Sequence, residues 1–163
     1  RQHLLDDQYF SRVEAINYTM NHDDGQAHWD LYDADILLVG VSRTSKSPTS
    51  VYLSCRGYKT ANIPFVSVET VPPSIFDLKK PLIVGLIINP EKLIQIRQSR
   101  LISLGQETPT DYIDLEAVKQ EVAQSRKLFA KLNCPVIDVT KKSVEETAVR
   151  IIQLLQEKKL KVL

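Results

Sequence analysis

Residues Gly40 to Ser47, GVSRTSKS, hold the side chains that handle phosphate: a glycine, a run of small polar residues, and the adjacent Lys46 and Ser47. Successive N–H groups in such a loop, with the positive end of the helix that follows, bind anionic oxygens. Lys46 would reach the terminal phosphates, and the Ser47 hydroxyl would coordinate Mg²⁺. The spacing fits G-x-x-x-x-G-K-[ST] everywhere except at the second glycine, which is Ser45 here. That position often requires φ > 0, where serine is less comfortable. Val41, Ser42, Arg43 and Thr44 complete the candidate phosphate-binding set, and Arg43 adds a second cation. The plainer reading is an ordinary polar strand-to-helix turn.

His22-Asp23-Asp24 is a second constellation. Phosphoryl transfer needs a group to accept the proton of the attacking hydroxyl, and acidic ligands for Mg²⁺. Two carboxylates beside a histidine offer both. The alternative is a helix end followed by a polar turn, although two acids at a helix C-terminus oppose the macrodipole. Asn89 stands where many phosphate-loop proteins place an acidic Mg²⁺ ligand, but Asn-Pro also starts turns. Arg97 and Arg100 share a helix face and could clamp a phosphate, with solvent-exposed arginines as the favoured reading. Asp114, next to Tyr112, is explained as a helix cap.

The elements that must position these residues follow from periodicity. Ile36 to Val39 is a buried strand stopping at Gly40, and residues 47–56 form a short helix with Pro48 in its first turn. Leu5, Tyr9, Val13, Ile16 and Met20 predict one apolar face of a leading helix ending near Asn21. Ala61 to Val66 reads as a strand, placed near a sheet edge by Pro64. Leu82 to Ile88 is a further strand, followed by a helix from about Glu91 to Ser103 closed by Gly105. Leu115, Val118, Val122, Ser125, Phe129 and Leu132 mark a long amphipathic helix. Pro135 to Val139 is a short strand, and Ser143 with Glu146 has capping-box spacing for a last helix. Lys158, Lys159 and Lys161 read as its solvated end.

Strands alternating with helices predict an α/β, three-layer P-loop-type fold with a mostly parallel sheet covered on both faces. Residues 1–33 form a leading helix and acidic loop packed on a core spanning 34–163. Ligands gather at the carboxyl ends of such strands, where Gly40–Ser47, Val66–Pro72, Asn89–Pro90 and Val139–Lys142 converge.

The 163 residues, 43% hydrophobic and 25% charged, suit one globular domain. No apolar run approaches the roughly 18 residues of a membrane span, and no signal peptide is visible. Net charge is +1, but residues 1–33 carry seven acids against two arginines, so they hold −5 and the remainder +6. A mildly basic body suits phosphate ligands and lacks the dense stripe of a nucleic-acid binder. Cys55 and Cys134 show no metal spacing and read as buried or semi-buried free thiols in a reducing cytoplasm. The only methionine is Met20, so a fragment or processed form of a longer protein is expected.

Taken in order, HDDG at His22–Gly25, GVSRTSKSPTS at Gly40–Ser50, GYKTANIP at Gly57–Pro64, GLIINPEKLIQIRQSRL at Gly85–Leu101 and VIDVTKKSVEETA at Val136–Ala148 span nearly the whole chain. Together they resemble the bacterial pyruvate, phosphate dikinase regulatory proteins. The sister group regulating phosphoenolpyruvate synthetase is similar, though glycine-lysine is commoner there where this chain has Ser45-Lys46. The resemblance implies the carboxyl-terminal, catalytic portion of a bifunctional cytoplasmic enzyme. One activity is an ADP-dependent serine/threonine kinase that inactivates the dikinase at a threonine. The other is a phosphorylase that uses inorganic phosphate to remove that group and releases pyrophosphate. Lys46, Asp24, Asp23, His22 and Arg43 would be catalytic, Gly40 through Ser47 would hold the nucleotide and phosphate, and Ser47 and Asp24 would hold Mg²⁺. The dikinase is the implied protein partner, with neither nucleic acid nor membrane, and a homo-oligomer is left open. A small-molecule phosphate-loop kinase and a non-catalytic nucleotide-gated module are the competing function classes.

Overall fold

The apolar runs build the sheet. In a computed structural model describing residues 2–23, 30–105 and 113–162, the order is α1 (Gln2–Asn21), β1 (Ile36–Gly40), α2 (Lys46–Cys55), β2 (Thr60–Pro64), β3 (Leu82–Ile87), α3 (Pro90–Leu104), α4 (Leu115–Leu132), β4 (Val136–Asp138) and α5 (Val144–Val162). The four strands are all parallel in the order β2-β1-β3-β4, with Ile36 opposite both Thr60 and Leu82, and Gly85 opposite Val136. Every residue of β1 is buried, as expected of a parallel strand covered on both faces. β2, with Pro64 at its end, is an edge strand.

Chain direction sets the layers. The crossover from β1 through α2 to β2 runs one way across the sheet, and that from β3 through α3 and α4 to β4 runs the other. Right-handed crossovers therefore put α2 and α3–α4 on opposite faces. α5 joins α2, and α3 packs on α4, giving the three-layer α/β architecture. On β3, Gly85 lies under the Phe129 ring: a Cβ there would come within 2.5 Å of it. α3 ends at Gly105 in the left-handed region (φ +64), and α4 starts with the Asp114 carboxylate accepting from the Glu116 N–H at 3.3 Å. Ser143 Oγ accepts from the Glu146 N–H at 3.1 Å, the first half of the expected capping box.

Three sequence expectations are corrected. α1 does not bury the stripe running through Tyr9, Val13, Ile16 and Met20: Tyr9 is 63% and Met20 65% exposed, whereas Ala15, Tyr18, Thr19 and His22 are buried. The buried stripe is less apolar but better paired. Ala15 is small enough for close approach, Thr19 Oγ1 accepts from the Thr60 N–H at 3.1 Å, and the His22 carbonyl accepts from the Asn62 N–H at 3.3 Å. These contacts seat α1 against the outer edge of β2, so polar satisfaction outweighs bulk hydrophobicity. Lys158 is not solvated. Its ammonium donates to the carbonyls of Lys79, Lys80 and Pro81 at 2.9, 3.1 and 2.8 Å, and burial pushes its pKa down. Cys55 is exposed rather than buried, and only Cys134 is partly covered.

Candidate functional site

The loop leaves the carboxyl end of β1, a strand with neighbours on both sides. Gly40 is needed there for close approach: a Cβ would lie 2.8 Å from Thr44 Oγ1 and 2.9 Å from the Leu86 carbonyl. Within the turn two non-glycine residues take left-handed backbone, Arg43 at φ 72 and Ser45 at φ 64. Ser45 thus adopts the conformation that makes glycine usual at this position, at a cost of roughly 1–2 kcal/mol. Strain of this kind persists where its surroundings enforce it.

Those surroundings are specific. The Val41 carbonyl accepts from Thr44 Oγ1 at 2.8 Å and from the Lys46 ammonium at 2.9 Å, so Lys46 curls back over the turn. The Ser42 carbonyl accepts from the Arg97 guanidinium at 3.4 Å. Ser45, which precedes α2, makes no side-chain cap bond, and Pro48 brings no N–H to the first turn. The loop opens on a cavity of about 340 Å³ lined by Ser42, Arg43, Ser45, Lys46, Ser47 and the apolar Pro48, Pro64 and Ile96.

Asp23 reaches the same place from α1. Its Oδ1 accepts from Ser47 Oγ at 2.8 Å and from Asn62 Nδ2 at 2.6 Å. Asp24 and Gly25 lie outside the described residues, as does Tyr112. His22 is buried under Tyr18, ring on ring at 3.8 Å, with Nδ1 on the Tyr18 carbonyl at 2.6 Å and Nε2 on the Asp30 carboxylate. Both ring nitrogens are thus engaged within the fold. Burial, followed by the charge of Asp30, pushes the Tyr18 phenol up.

Other candidates fall elsewhere. Asn89 caps α3, accepting from the Lys92 N–H at 3.1 Å, and its own N–H donates to Thr140 Oγ1. Arg97 is 1% exposed, contrary to the solvated reading, and binds both oxygens of Glu121 at 3.2 and 2.8 Å. Arg100 is exposed. Among the described residues, no cluster of three or more His, Cys, Asp or Glu could hold a metal by itself. Sequence reasoning missed Asn62 at Asp23, Pro64 and Ile96 in the cavity wall, and the Arg97 brace. For Asn62 there was a signal, since asparagine inside an apolar strand is unusual.

A family model described as Kinase/pyrophosphorylase matches residues 1–152. A relative from Caulobacter vibrioides, provisionally named pyruvate, phosphate dikinase regulatory protein, is 54% identical over 154 residues, which is 94% of this chain and 49% of the relative. Relatives of the same provisional name from Rhizorhabdus wittichii and Anaplasma phagocytophilum are 54% and 53% identical over 99% and 98% of this chain. The chain spans 59% and 57% of their lengths. Among the described residues no helix is long and apolar enough to cross a membrane. With a family match over residues 1–152 and relatives more than half identical over nearly all of its length, the chain belongs to the kinase/pyrophosphorylase family.

Proposed function

We propose that this chain carries the catalytic centre of a dikinase regulator, a bifunctional ADP-dependent serine/threonine kinase and phosphate-dependent phosphorylase. In the kinase direction a threonine hydroxyl of pyruvate, phosphate dikinase attacks the terminal phosphorus of ADP. The new O–P bond forms as the bond to the AMP oxygen breaks, and the hydroxyl proton passes to a carboxylate. In the other direction inorganic phosphate attacks the phosphothreonine, the threonine oxygen leaves and takes up a proton, and pyrophosphate is released. One in-line geometry serves both.

The observation that carries this reading is the pair of left-handed, non-glycine residues, Arg43 and Ser45, immediately before the N-terminus of α2. Backbone turned this way directs successive N–H groups into one concavity, an arrangement suited to anions. Lys46 and Arg43 supply positive charge where negative charge builds on the transferred group. Asp23, hydrogen-bonded to Ser47, is the carboxylate that accepts the acceptor's proton, with Asp24 its alternative.

The donor set also fits Mg²⁺, because Ser47 Oγ is a hard oxygen at the end of the turn, Asp24 is the expected acidic ligand, and phosphate and water oxygens can complete an octahedron. When bound, the ion neutralises charge on the phosphate oxygens. The cytoplasm is the matching compartment. The small-molecule kinase reading loses support because Arg97, one of two candidate lid arginines, is committed to Glu121. The related phosphoenolpyruvate synthetase is the alternative target.

The test incubates the chain with dikinase and ADP, and separately phospho-dikinase with inorganic phosphate. The expected products are phosphorylated dikinase in the first case and pyrophosphate in the second. Lys46→Ala should depress both rates by about a hundredfold or more, the scale of losing one charge-stabilising donor. Unchanged rates in Lys46→Ala would remove the phosphates from this loop.

A further inference from the structure

Asn62 sits inside β2, 1% exposed, at a strand position that apolar residues ordinarily fill. A buried amide is costly unless bonded, and here two of the described bonds go to the end of α1. The side-chain Nδ2 donates to Asp23 Oδ1 at 2.6 Å and to Ser50 Oγ at 3.3 Å. The backbone N–H of the same residue donates to the His22 carbonyl at 3.3 Å. One residue therefore holds both the peptide before Asp23 and the Asp23 carboxylate. Asp23 needs such a clasp, because α1 ends at Asn21 and the helix no longer fixes its direction.

The two donors on Asp23 come from different elements, Asn62 from β2 and Ser47 from α2, and both take Oδ1. Among the described residues Oδ2 accepts no hydrogen bond, and Asp23 meets the cavity wall through Ser47. We propose that Asn62 is a positioning residue that aims the Asp23 carboxylate at the loop, so that Oδ2 meets the attacking hydroxyl while the phosphates are held independently by Gly40–Ser47. The inference rests on the function proposed above. It predicts that Asn62 acts on turnover and leaves nucleotide affinity alone, a division that a merely structural role would not produce.

The test compares wild type, Asn62→Ala, Asp23→Asn and the double variant in dikinase phosphorylation, with ADP affinity measured by calorimetry without Mg²⁺. Asn62→Ala should lower kcat by roughly ten- to a hundredfold, the scale of misplacing a catalytic group by about 1 Å, with ADP affinity changed less than about twofold. In the Asp23→Asn background the same substitution should change kcat less than about twofold. An unchanged kcat, an equal loss of ADP binding, or a full effect in the Asp23→Asn background overturns the proposal. If Asn62→Ala does not fold, Ser50→Ala, which removes the second partner of Nδ2, should give a smaller fall of the same kind, and no fall overturns it. Wild type without ADP-dependent phosphorylation would sink the functional reading alone. The clasp is then decided by a crystal structure of Asn62→Ala, in which an intact Asp23–Ser47 hydrogen bond overturns it.

Discussion

Replacing Arg97 by methionine separates what holds the fold from what shapes the loop. Arg97 is 1% exposed and grips Glu121 through two nitrogens at 3.2 and 2.8 Å, while one of them also meets the Ser42 carbonyl at 3.4 Å. Breaking a buried pair from one side generally costs about 3–5 kcal/mol, because the remaining charge is stranded. Glu121 is 22% exposed and can turn to water, so the expected loss for Arg97→Met is lower, about 2–3 kcal/mol. For a chain of this length that lowers Tm by roughly 4–12 °C. Arg97→Met with Glu121→Leu removes the stranded charge and should recover most of the loss. Neither variant restores the bond to Ser42, so both should bind ADP more weakly than wild type, whatever their stability. Circular dichroism melts and calorimetric titration with ADP read the two effects separately. A single variant within about 0.5 kcal/mol of wild type, or a double variant no more stable than the single, would refute the buried-pair reasoning. Wild-type ADP affinity in both would refute the brace.

Ser45→Gly relieves roughly 1–2 kcal/mol of left-handed strain and gives back about 0.5–1 through the freer unfolded chain. A Tm rise of up to about 6 °C with ADP binding retained is expected, and a fall would show that the serine side chain supports the turn. Gly85→Ala drives a methyl into the Phe129 ring, and denaturant melts should record a loss of about 1–3 kcal/mol, reduced when Phe129→Leu is added. Burial pushes the Cys134 thiol up to about 11, which leaves on the order of one part in a thousand as thiolate at pH 8. Reaction with a chromogenic disulfide at that pH should therefore modify exposed Cys55 quickly and Cys134 slowly, the latter accelerating as pH climbs toward 11.

The sheet was readable because a parallel strand buried on both faces writes itself as a continuous apolar run, as Ile36–Gly40 and Leu82–Ile87 do. Pro64 announced an edge, and Gly105 and Asp114 announced helix ends, because each reports a local backbone demand. The candidate loop was visible for the same reason: its residues are contiguous. Asn62 gave only the hint of a polar residue in an apolar strand, and the bracing contact of Arg97 was not legible, since both depend on which distant element the side chain faces. α1 misled for a related reason. Periodicity identifies stripes on a helix, but the choice among them was made by partners on β2 and α2 that no local pattern encodes.

Seating α1 along β2 also governs how the sheet ends. The outward N–H groups of an edge strand recur at every second residue, here 60, 62 and 64. Thr60 gives its own to Thr19, Asn62 gives its own to the His22 carbonyl, and Pro64 has none. No ladder of donors remains on that margin for a foreign strand to copy, so α1 removes the donor half of the pattern that sheet extension and strand-by-strand aggregation use. The same helix that delivers Asp23 to the loop thus doubles as the selvedge of the sheet. Loosening its C-terminal turn would expose sticky backbone and misdirect the carboxylate in a single event.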